Sequence, residues 1–436
     1  LVLGASGSGK TTLLYARIRA RAEAGKRSIL LVPEQFTSST EARIYRELGD
    51  ALSGMVESYS FTSLAEHILA VEGGAAVQTL TDAGRAVLVR RALEELQDNV
   101  HYYYRHRRSA AFCQMAAETI DELKSAGLSG QQLQELARDC GSESAKLGEL
   151  ALIFQGYESL LAGTGMDPAD RLELAADRLE AALARDELPD FLREREVFID
   201  EFDTFNAPKK RLMGAMLAAL PAVTVALCED GAPMQPGDLE LFSGAKQVAA
   251  QLRQLARKNG AQVAAPELLR RDLRHKDAPG LAALTELLET GSCTPPESAP
   301  ELRLFAAASR EEEARCAAAA IRRLMRQGVR CGKIAVVCRD ISLYRAAVRY
   351  EFRMAEIPLY CDEPTTPEFS APATAVRALL ALLRGADMTE QLTVLAKTGL
   401  CDLTEPEVCA LENYAYTWSP NAAAWRAEFT KSPRGF

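Results

Sequence analysis

The sequence lacks any apolar run approaching the roughly 20 residues that span a bilayer, so it offers no membrane helix. Its ten cysteines never form C-x-x-C, and its four histidines are scattered. That pattern excludes a zinc or iron–sulfur site within this stretch and predicts reduced, mostly buried thiols in a cytoplasmic protein. No internal repeat, low-complexity segment or secretory leader is visible. There is no surplus of positive charge either. A net charge of −9 argues against a uniformly basic nucleic-acid coat, while a local basic groove stays possible because steering depends on distribution. The chain opens on Leu1 inside an apolar run, without methionine, and closes on Ser432-Pro-Arg-Gly-Phe436 without terminal character. It is expected to be a fragment of a longer protein, and its 436 residues suggest about three domains.

What is present starts at residue 4. Gly4, Ala5, Ser6, Gly7, Ser8, Gly9, Lys10 and Thr11 fit G-x-x-x-x-G-K-[ST], and Thr12 follows. Glycines at this spacing let backbone N–H groups curl around a phosphate, and the next helix aims its positive end at the same anion. Lys10 would reach the β- and γ-phosphates of ATP, and the Thr11 hydroxyl would meet Mg²⁺. A Gly/Ser-rich turn before an ordinary helix is the plainer alternative. The apolar strand before the loop and the Thr12-Leu-Leu-Tyr-Ala-Arg helix after it favour the phosphate loop.

Strand and helix alternate through residue 78, with strands expected at Arg27–Pro33 and Met55–Ser63. Residues 79–189 read as helices only: Asp82–Asp98, Ala110–Ala126, Ser144–Ala162 and Arg171–Ala184 carry apolar residues at three- and four-residue spacing. Strands return at Glu196–Asp200 and Ala222–Cys228, so residues 1–78 and 190–240 are expected to form one nucleotide-binding domain interrupted by a helical one. Residues 241–300 read as a connection with one helix, Gly244–Asn259. A second α/β unit is expected over 301–368, with strands at Leu302–Ala306, Lys333–Cys338 and Ile357–Cys361 around helices Glu311–Gln327 and up to Met354. Residues 369–436 read as a helical insertion into it.

A phosphate-loop engine also needs a carboxylate on a neighbouring strand for the metal and a base to orient water. Val197-Phe-Ile-Asp200-Glu201 supplies both: Asp200 for Mg²⁺, Glu201 for the water. Lys10 and Asp200 lie 190 residues apart, too far for a simple nucleotide kinase. A helical domain between the two motifs is the arrangement of superfamily 1 DNA helicases. Gln35, Phe36 and Thr37, with Ser60, Phe61 and Thr62, sit where those helicases place two single-strand-contacting motifs. Their aromatics and hydroxyls suit base stacking and phosphate contact. Phe36 and Phe61 are equally compatible with core positions.

Several segments together resemble the AddB family of bacterial AddAB helicase–nucleases, related to RecBCD. They are Leu31-Val-Pro-Glu-Gln-Phe-Thr37, Gly84-Arg-Ala-Val-Leu-Val-Arg90, Glu122-Leu-Lys124, Phe198-Ile-Asp-Glu-Phe-Asp-Thr-Phe205, Ser309-Arg-Glu-Glu-Glu-Ala314, Leu395-Ala-Lys-Thr-Gly-Leu400 and Leu411-Glu-Asn-Tyr-Ala-Tyr-Thr-Trp418. The resemblance runs along the whole chain. It implies an α/β fold of RecA-like, superfamily 1 helicase-type parallel-sheet domains with inserted all-helical domains. It further implies a heterodimer with an AddA-type motor subunit, acting on single-stranded DNA and duplex ends in double-strand-break processing for homologous recombination, and recognising Chi. A Mg²⁺-dependent nuclease domain with an iron–sulfur cluster is implied beyond residue 436.

Departures from active helicases accompany that likeness. Asp203 takes the glutamine position of D-E-x-Q-D, and Glu229-Asp230-Gly-Ala-Pro follows a strand where a γ-phosphate-sensing glutamine is usual. No N-Y-R-S-like segment with a phosphate-contacting arginine is found between 231 and 300. The expectation is a subunit that binds ATP without being the motor; an autonomous superfamily 1 helicase and a non-enzymatic DNA-scanning scaffold are the alternatives. His101-Tyr-Tyr-Tyr-Arg-His-Arg-Arg108 is the densest basic–aromatic stretch. Arg105, Arg107 and Arg108 could touch DNA backbone, or stand solvated on a helix whose tyrosines pack inward. Asp82 is expected as an N-cap, and Lys397-Thr-Gly399 as a helix stop.

Overall fold

The computed structural model describes residues 1–74, 78–232, 241–361 and 367–434. They divide into two compact units, Leu1–Arg303 and Leu304–Phe436.

The first unit is built on a six-stranded sheet. Its strands are β1 (Val2–Gly4), β2 (Ser28–Leu31), β3 (Val56–Tyr59), β4 (Glu196–Ile199), β5 (Ala222–Cys228) and β6 (Glu267–Leu269), in the order β3-β2-β4-β5-β1-β6. Every pairing is parallel, with Leu31 beside Ile199, Ile199 beside Val225 and Gly4 beside both Cys228 and Leu269. Side chains of a strand alternate between faces, and here both faces are covered, which explains near-continuous apolar runs. Ile29, Leu31, Val197, Ile199, Val225 and Leu227 point into one core. Their neighbours Leu30, Phe198 and Ala226 point into the other.

The second of those faces is covered by α1 (Lys10–Glu23) and α2 (Thr37–Leu48), with the single turn α3 (Asp50–Ser53) beside them. The opposite face is covered by α4 (Phe61–Glu72), α9 (Pro168–Ala184), α10 (Ala207–Ala219) and α11 (Ser243–Lys258). Between α4 and α9 lies a helical block with its own core: α5 (Asp82–Glu95), α6 (Ala110–Ser125), α7 (Gly130–Ala137) and α8 (Ser144–Leu161). The chain enters and leaves this block side by side, at a parallel bridge between Thr79 and Met166. A buried charge cluster seals the joint. Lys124 Nζ of α6 donates to Asp167 and Asp170 at 2.9 Å, and the Tyr157 hydroxyl of α8 donates to Asp167 at 2.7 Å. Asp167 is 1 % exposed.

Several expectations change here. α9 begins at the block's exit but sinks Leu172, Ala175, Ala176 and Leu179 into the sheet's core. The stretch 241–300 does more than connect, because β6 completes the sheet and α12 (Pro279–Thr290) follows it. Thr81, not Asp82, caps α5; Asp82 instead pairs with Arg85. Of the ten cysteines, all free, only Cys113 is buried.

The second unit holds α13 (Arg310–Arg326), α14 (Ile341–Met354), α15 (Ala371–Leu383), α16 (Met388–Lys397) and α17 (Glu405–Trp418). α13 and α14 share a small core of Ala314, Ala318, Ile321, Val348, Phe352 and Ile357. Among the described residues, the three strands expected around them do not form: no ladder runs through 302–306, 333–338 or 357–361. Lys397, Thr398 and Gly399 end α16 as expected, Gly399 with φ of 71°. Among the described residues, no helix is long and apolar enough to cross a membrane.

Candidate functional site

The carboxyl ends of β1, β4, β5 and β6 face the same edge of the sheet, where open α/β sheets collect ligand-binding groups. After Gly4 the chain turns through Ala5–Gly9 into α1, with Gly7 and Gly9 at φ of 81° and 92°. Those values lie in the left-handed region that glycine enters without steric cost. Gly9 is the N-cap of α1, so this helix start has neither a capping side chain nor an acidic residue in its first turn. By contrast, α4, α5 and α6 are capped by Ser60, Thr81 and Ser109. The orphan N–H groups and positive pole of α1 are thus left for an anion. Inside the loop, Ser8 Oγ is buried without a partner.

Lys10 folds back over this cradle, its Nζ donating to the carbonyl oxygens of Gly4 at 2.7 Å and Ala5 at 2.8 Å. Burial holds the ammonium below the ordinary lysine value, with Arg274 adding to the effect and Cys228 and Asp200 opposing it. A cavity of about 490 Å³ opens beside it, lined by Ser6, Gly7, Gly9, Lys10, Thr11, Thr12, Arg43, Asp200, Glu201, Asp203, Cys228 and Arg274, among others.

The carboxylates arrive from β4, which is not the strand next to β1: β5 lies between them. Asp200 N–H donates to Leu31 O at 3.1 Å, extending the β2–β4 pairing by one residue. The carboxylate then accepts the Glu201 N–H at 3.0 Å. Glu201 adopts φ of 65°. For a non-glycine residue that costs on the order of 1–3 kcal/mol, strain of the kind found at working sites. Burial and the Asp200 charge push the Glu201 carboxyl above its ordinary value, while Arg43 pulls it down. Arg43 comes from α2 and lies 4.9 Å from the centre of the Tyr15 ring. Burial pushes the Tyr15 phenol up to about 12.

Arg274 is the residue that sequence reasoning missed. The strap after β6 crosses the loop: Leu273 N–H donates to Gly7 O at 3.0 Å, and Arg274 Nη1 donates to Ser6 Oγ at 3.3 Å. Asp272 shapes the strap by accepting the Arg274 and His275 N–H groups and pairing with the His275 ring at 2.8 Å. A Cβ on Gly7 would lie 2.9 Å from both Arg274 Cβ and Asp272 Oδ1. No N-Y-R-S-like segment stands here; Arg274 reaches the cavity from a strap of different sequence. Its only sequence signal was the short strand segment Glu267-Leu-Leu269, with two apolar residues, just before it.

Thr11 and Asp200 supply one hydroxyl and one carboxylate to the same cavity. That suits Mg²⁺, which keeps waters and substrate phosphates and needs only one or two protein ligands. Among the described residues, no group of three or more His, Cys, Asp or Glu is arranged to hold a metal.

The candidate DNA-contacting residues divide. Gln35 is exposed and Phe36 is 38 % exposed, in the turn entering α2, where Thr37 donates to Glu34 O. Thr62 donates to the Glu34 carboxylate at 2.9 Å, bringing the two segments together. Ser60 is spent as the cap of α4. Phe61 is fully buried, edge-on to Phe202 and Phe205, so it cannot stack on a base. Arg105, Arg107 and Arg108 lie in and just after a short 3₁₀ turn, not a regular α-helix. Arg107 stacks over Tyr104 at 3.8 Å, and Arg105 and Arg108 are exposed. The Glu149 carboxylate accepts the N–H groups of Tyr102 and Tyr103 and so pins the turn.

Residues 1–285 match the family model described as ADDB, N-terminal. The chain belongs to the AddB family. It is 32 % identical, over 97 % of its length, to the B-type subunit of the ATP-dependent helicase/deoxyribonuclease of Desulforudis audaxviator, covering 37 % of that protein. To the protein of the same name from Moorella thermoacetica it is 31 % identical over 98 % of its length, covering 38 % of that relative. The chain thus spans well under half the length of the curated AddB-family relatives it matches. The matched residues 1–285 contain the whole six-stranded sheet and the cavity at its edge.

Proposed function

We propose that this chain is the nucleotide- and DNA-binding part of a helicase–deoxyribonuclease subunit. In this reading it works with an AddA-type motor subunit, in the cytoplasm, on DNA ends destined for homologous recombination. One observation carries the proposal: the loop after β1, the carboxylates after β4 and Arg274 after β6 converge on one cavity. ATP would place its phosphates against the uncapped start of α1. Lys10 would exchange its carbonyl partners Gly4 and Ala5 for phosphate oxygens, and Arg274 would offer a second cation across the loop. Mg²⁺ would sit between Thr11 and Asp200, and its role is to neutralise phosphate charge. Glu201 would orient water. Gln35, Phe36, Thr37 and Thr62 would meet single-stranded DNA, and the subunit would read Chi. The nuclease and its iron–sulfur cluster belong to the remaining length of such a protein, in keeping with the relatives' name.

Asp203 lines the cavity where an active motor would have glutamine, which supports a regulatory nucleotide site. The expected outcome is ATP binding by residues 1–436, abolished by Lys10→Ala, with little DNA-stimulated hydrolysis. Strong DNA-stimulated turnover, lost in Lys10→Ala, would reject the non-motor reading. Arg274 in the cavity favours a second reading, an autonomous superfamily 1 motor, because such an arginine can be worth several orders of magnitude in turnover. Strand displacement by the full-length protein without its partner decides for that reading; no displacement decides against it.

A further inference from the structure

Two arginines line the nucleotide cavity, and they come from opposite flanks of the sheet. Arg274 follows β6, which flanks the loop strand β1. Arg43 sits on α2, after β2, which flanks the carboxylate strand β4. A second cavity of about 570 Å³ adjoins the first, and Thr11, Arg43, Asp200, Glu201 and Asp203 line both. Three of these shared residues are acidic, and Arg43 is the one cation among them. Glu47 stands four residues along α2, a spacing that commonly gives an ion pair. Yet among the described residues no carboxylate lies within ion-pair distance of Arg43. The arginines of α1 behave otherwise: Arg17 pairs with Glu267 and Arg21 with Glu196. Arg43 is half-buried, its guanidinium over the ring of Tyr15, itself only 6 % exposed. Such a ring steadies the cation and leaves its N–H donors unspent.

We propose that Arg43 receives the terminal phosphate of a bound nucleoside triphosphate and so makes the site prefer triphosphate to diphosphate, an assignment that rests on the nucleotide reading of the cavity. The loop and the start of α1 serve the inner phosphates, with Lys10 and Arg274 beside them. The terminal phosphate projects toward the metal carboxylate, because the metal in such sites bridges the last two phosphates. That is the flank of Asp200 and of Arg43. Three carboxylates there would repel a further anion unless a cation answers it. The planar guanidinium matches phosphate oxygens in two directions at once. Its charge already reaches this wall, since it pulls the Glu201 carboxyl down against burial. A diphosphate ends before this flank and gains little from Arg43.

Calorimetric titration of the full-length protein on its own, with ATP and with ADP in the presence of Mg²⁺, tests this. Arg43→Gln keeps a stem over Tyr15 and loses the charge. It is expected to weaken ATP binding at least about tenfold and ADP binding by less than about twofold, the first being the scale of one hydrogen bond to a charged group. Arg43→Lys keeps the charge without the fork, and its ATP affinity should fall between the two. Because the ATP-to-ADP ratio is read within one preparation, a fraction of unfolded protein lowers the stoichiometry for both nucleotides and leaves the ratio intact. Equal losses for both nucleotides in Arg43→Gln, or no loss for ATP, overturn the proposal. The nucleotide site itself then still stands, provided that Lys10→Ala abolishes binding of both. Absence of ATP binding by the unaltered protein rejects the site and the proposal together.

Discussion

Ser28–Leu31 in the first unit and Ile334–Val337 in the second are both short, mainly apolar four-residue segments next to helices, yet they end in opposite conditions. Ser28–Leu31 is paired on both sides and every residue is buried. Ile334–Val337 is unpaired, and Val337 stands almost wholly in water. Hydrophobic pattern reports that a segment needs covering; it does not report whether the covering residues are near in sequence. In the first unit the partners come from as far away as β5 and β6, and all lie within residues 1–303. In the second they do not lie among the described residues.

The largest expected contrast is in core truncation. Phe61→Ala should cost about 3–5 kcal/mol in thermal or denaturant unfolding, because a fully buried ring is lost. Leu304→Ala should change stability by no more than about 0.5 kcal/mol, as for exposed positions generally. A Leu304→Ala cost near that of Phe61→Ala would break the comparison. Next comes the buried charge cluster, which among the described residues belongs to the first unit alone. Asp167→Ala strands Lys124 with only Asp170 and should cost about 3 kcal/mol, the lower end of what broken buried pairs lose.

Glycine positions separate the units on a smaller scale. Gly7→Ala meets both a positive φ and the Arg274 strap, so ATP affinity in direct binding should fall at least about tenfold, or roughly 1.4 kcal/mol. Gly385, at φ of 83° with nothing within 4 Å, should cost only the backbone term of about 1–2 kcal/mol on change to Ala.

The smallest effects concern pH and differ in sign. Burial raises the Glu229 carboxyl, so its native form holds protons that the unfolded chain has lost, and its penalty is fully present above the raised value. Glu229→Gln should therefore raise the melting temperature at neutral pH, an advantage that fades on acidification through that raised value. Glu407 is held below the ordinary value by the Thr404 hydroxyl and N–H at the start of α17. Its contribution is present above the unfolded value and lost as pH falls through the folded one. Glu407→Ala should lower stability at neutral pH and become silent in acid, read by hydrogen exchange within α17.

How much was legible follows the same division. β1 to β5, the loop, Asp200 and Glu201 were readable, because each is a local run bounded by glycine, proline or a carboxylate pair. β6 escaped because three residues carry almost no periodicity, and Arg274 escaped with it. Its role depends on parallel strands ending at one edge, a relation between distant segments. Phe36 and Phe61 show the limit from the other side. Both are aromatic and both stand near a helix start, yet one is exposed and one lies beneath Phe202 and Phe205. Only tertiary packing separates them.

The paired entry and exit of the helical block have a consequence for engineering. Thr79 and Met166 are bridge partners, so the chain leaves the layers around the sheet and returns to them within about one strand spacing of 5 Å. The block is therefore an excisable cassette: two or three residues would close the gap between the flanks without pulling the sheet apart. The cut has one condition. Asp167 is buried against Lys124 and Tyr157 and also caps α9, so a chain shorn of the block must keep that aspartate as the helix cap while it loses both partners from the block.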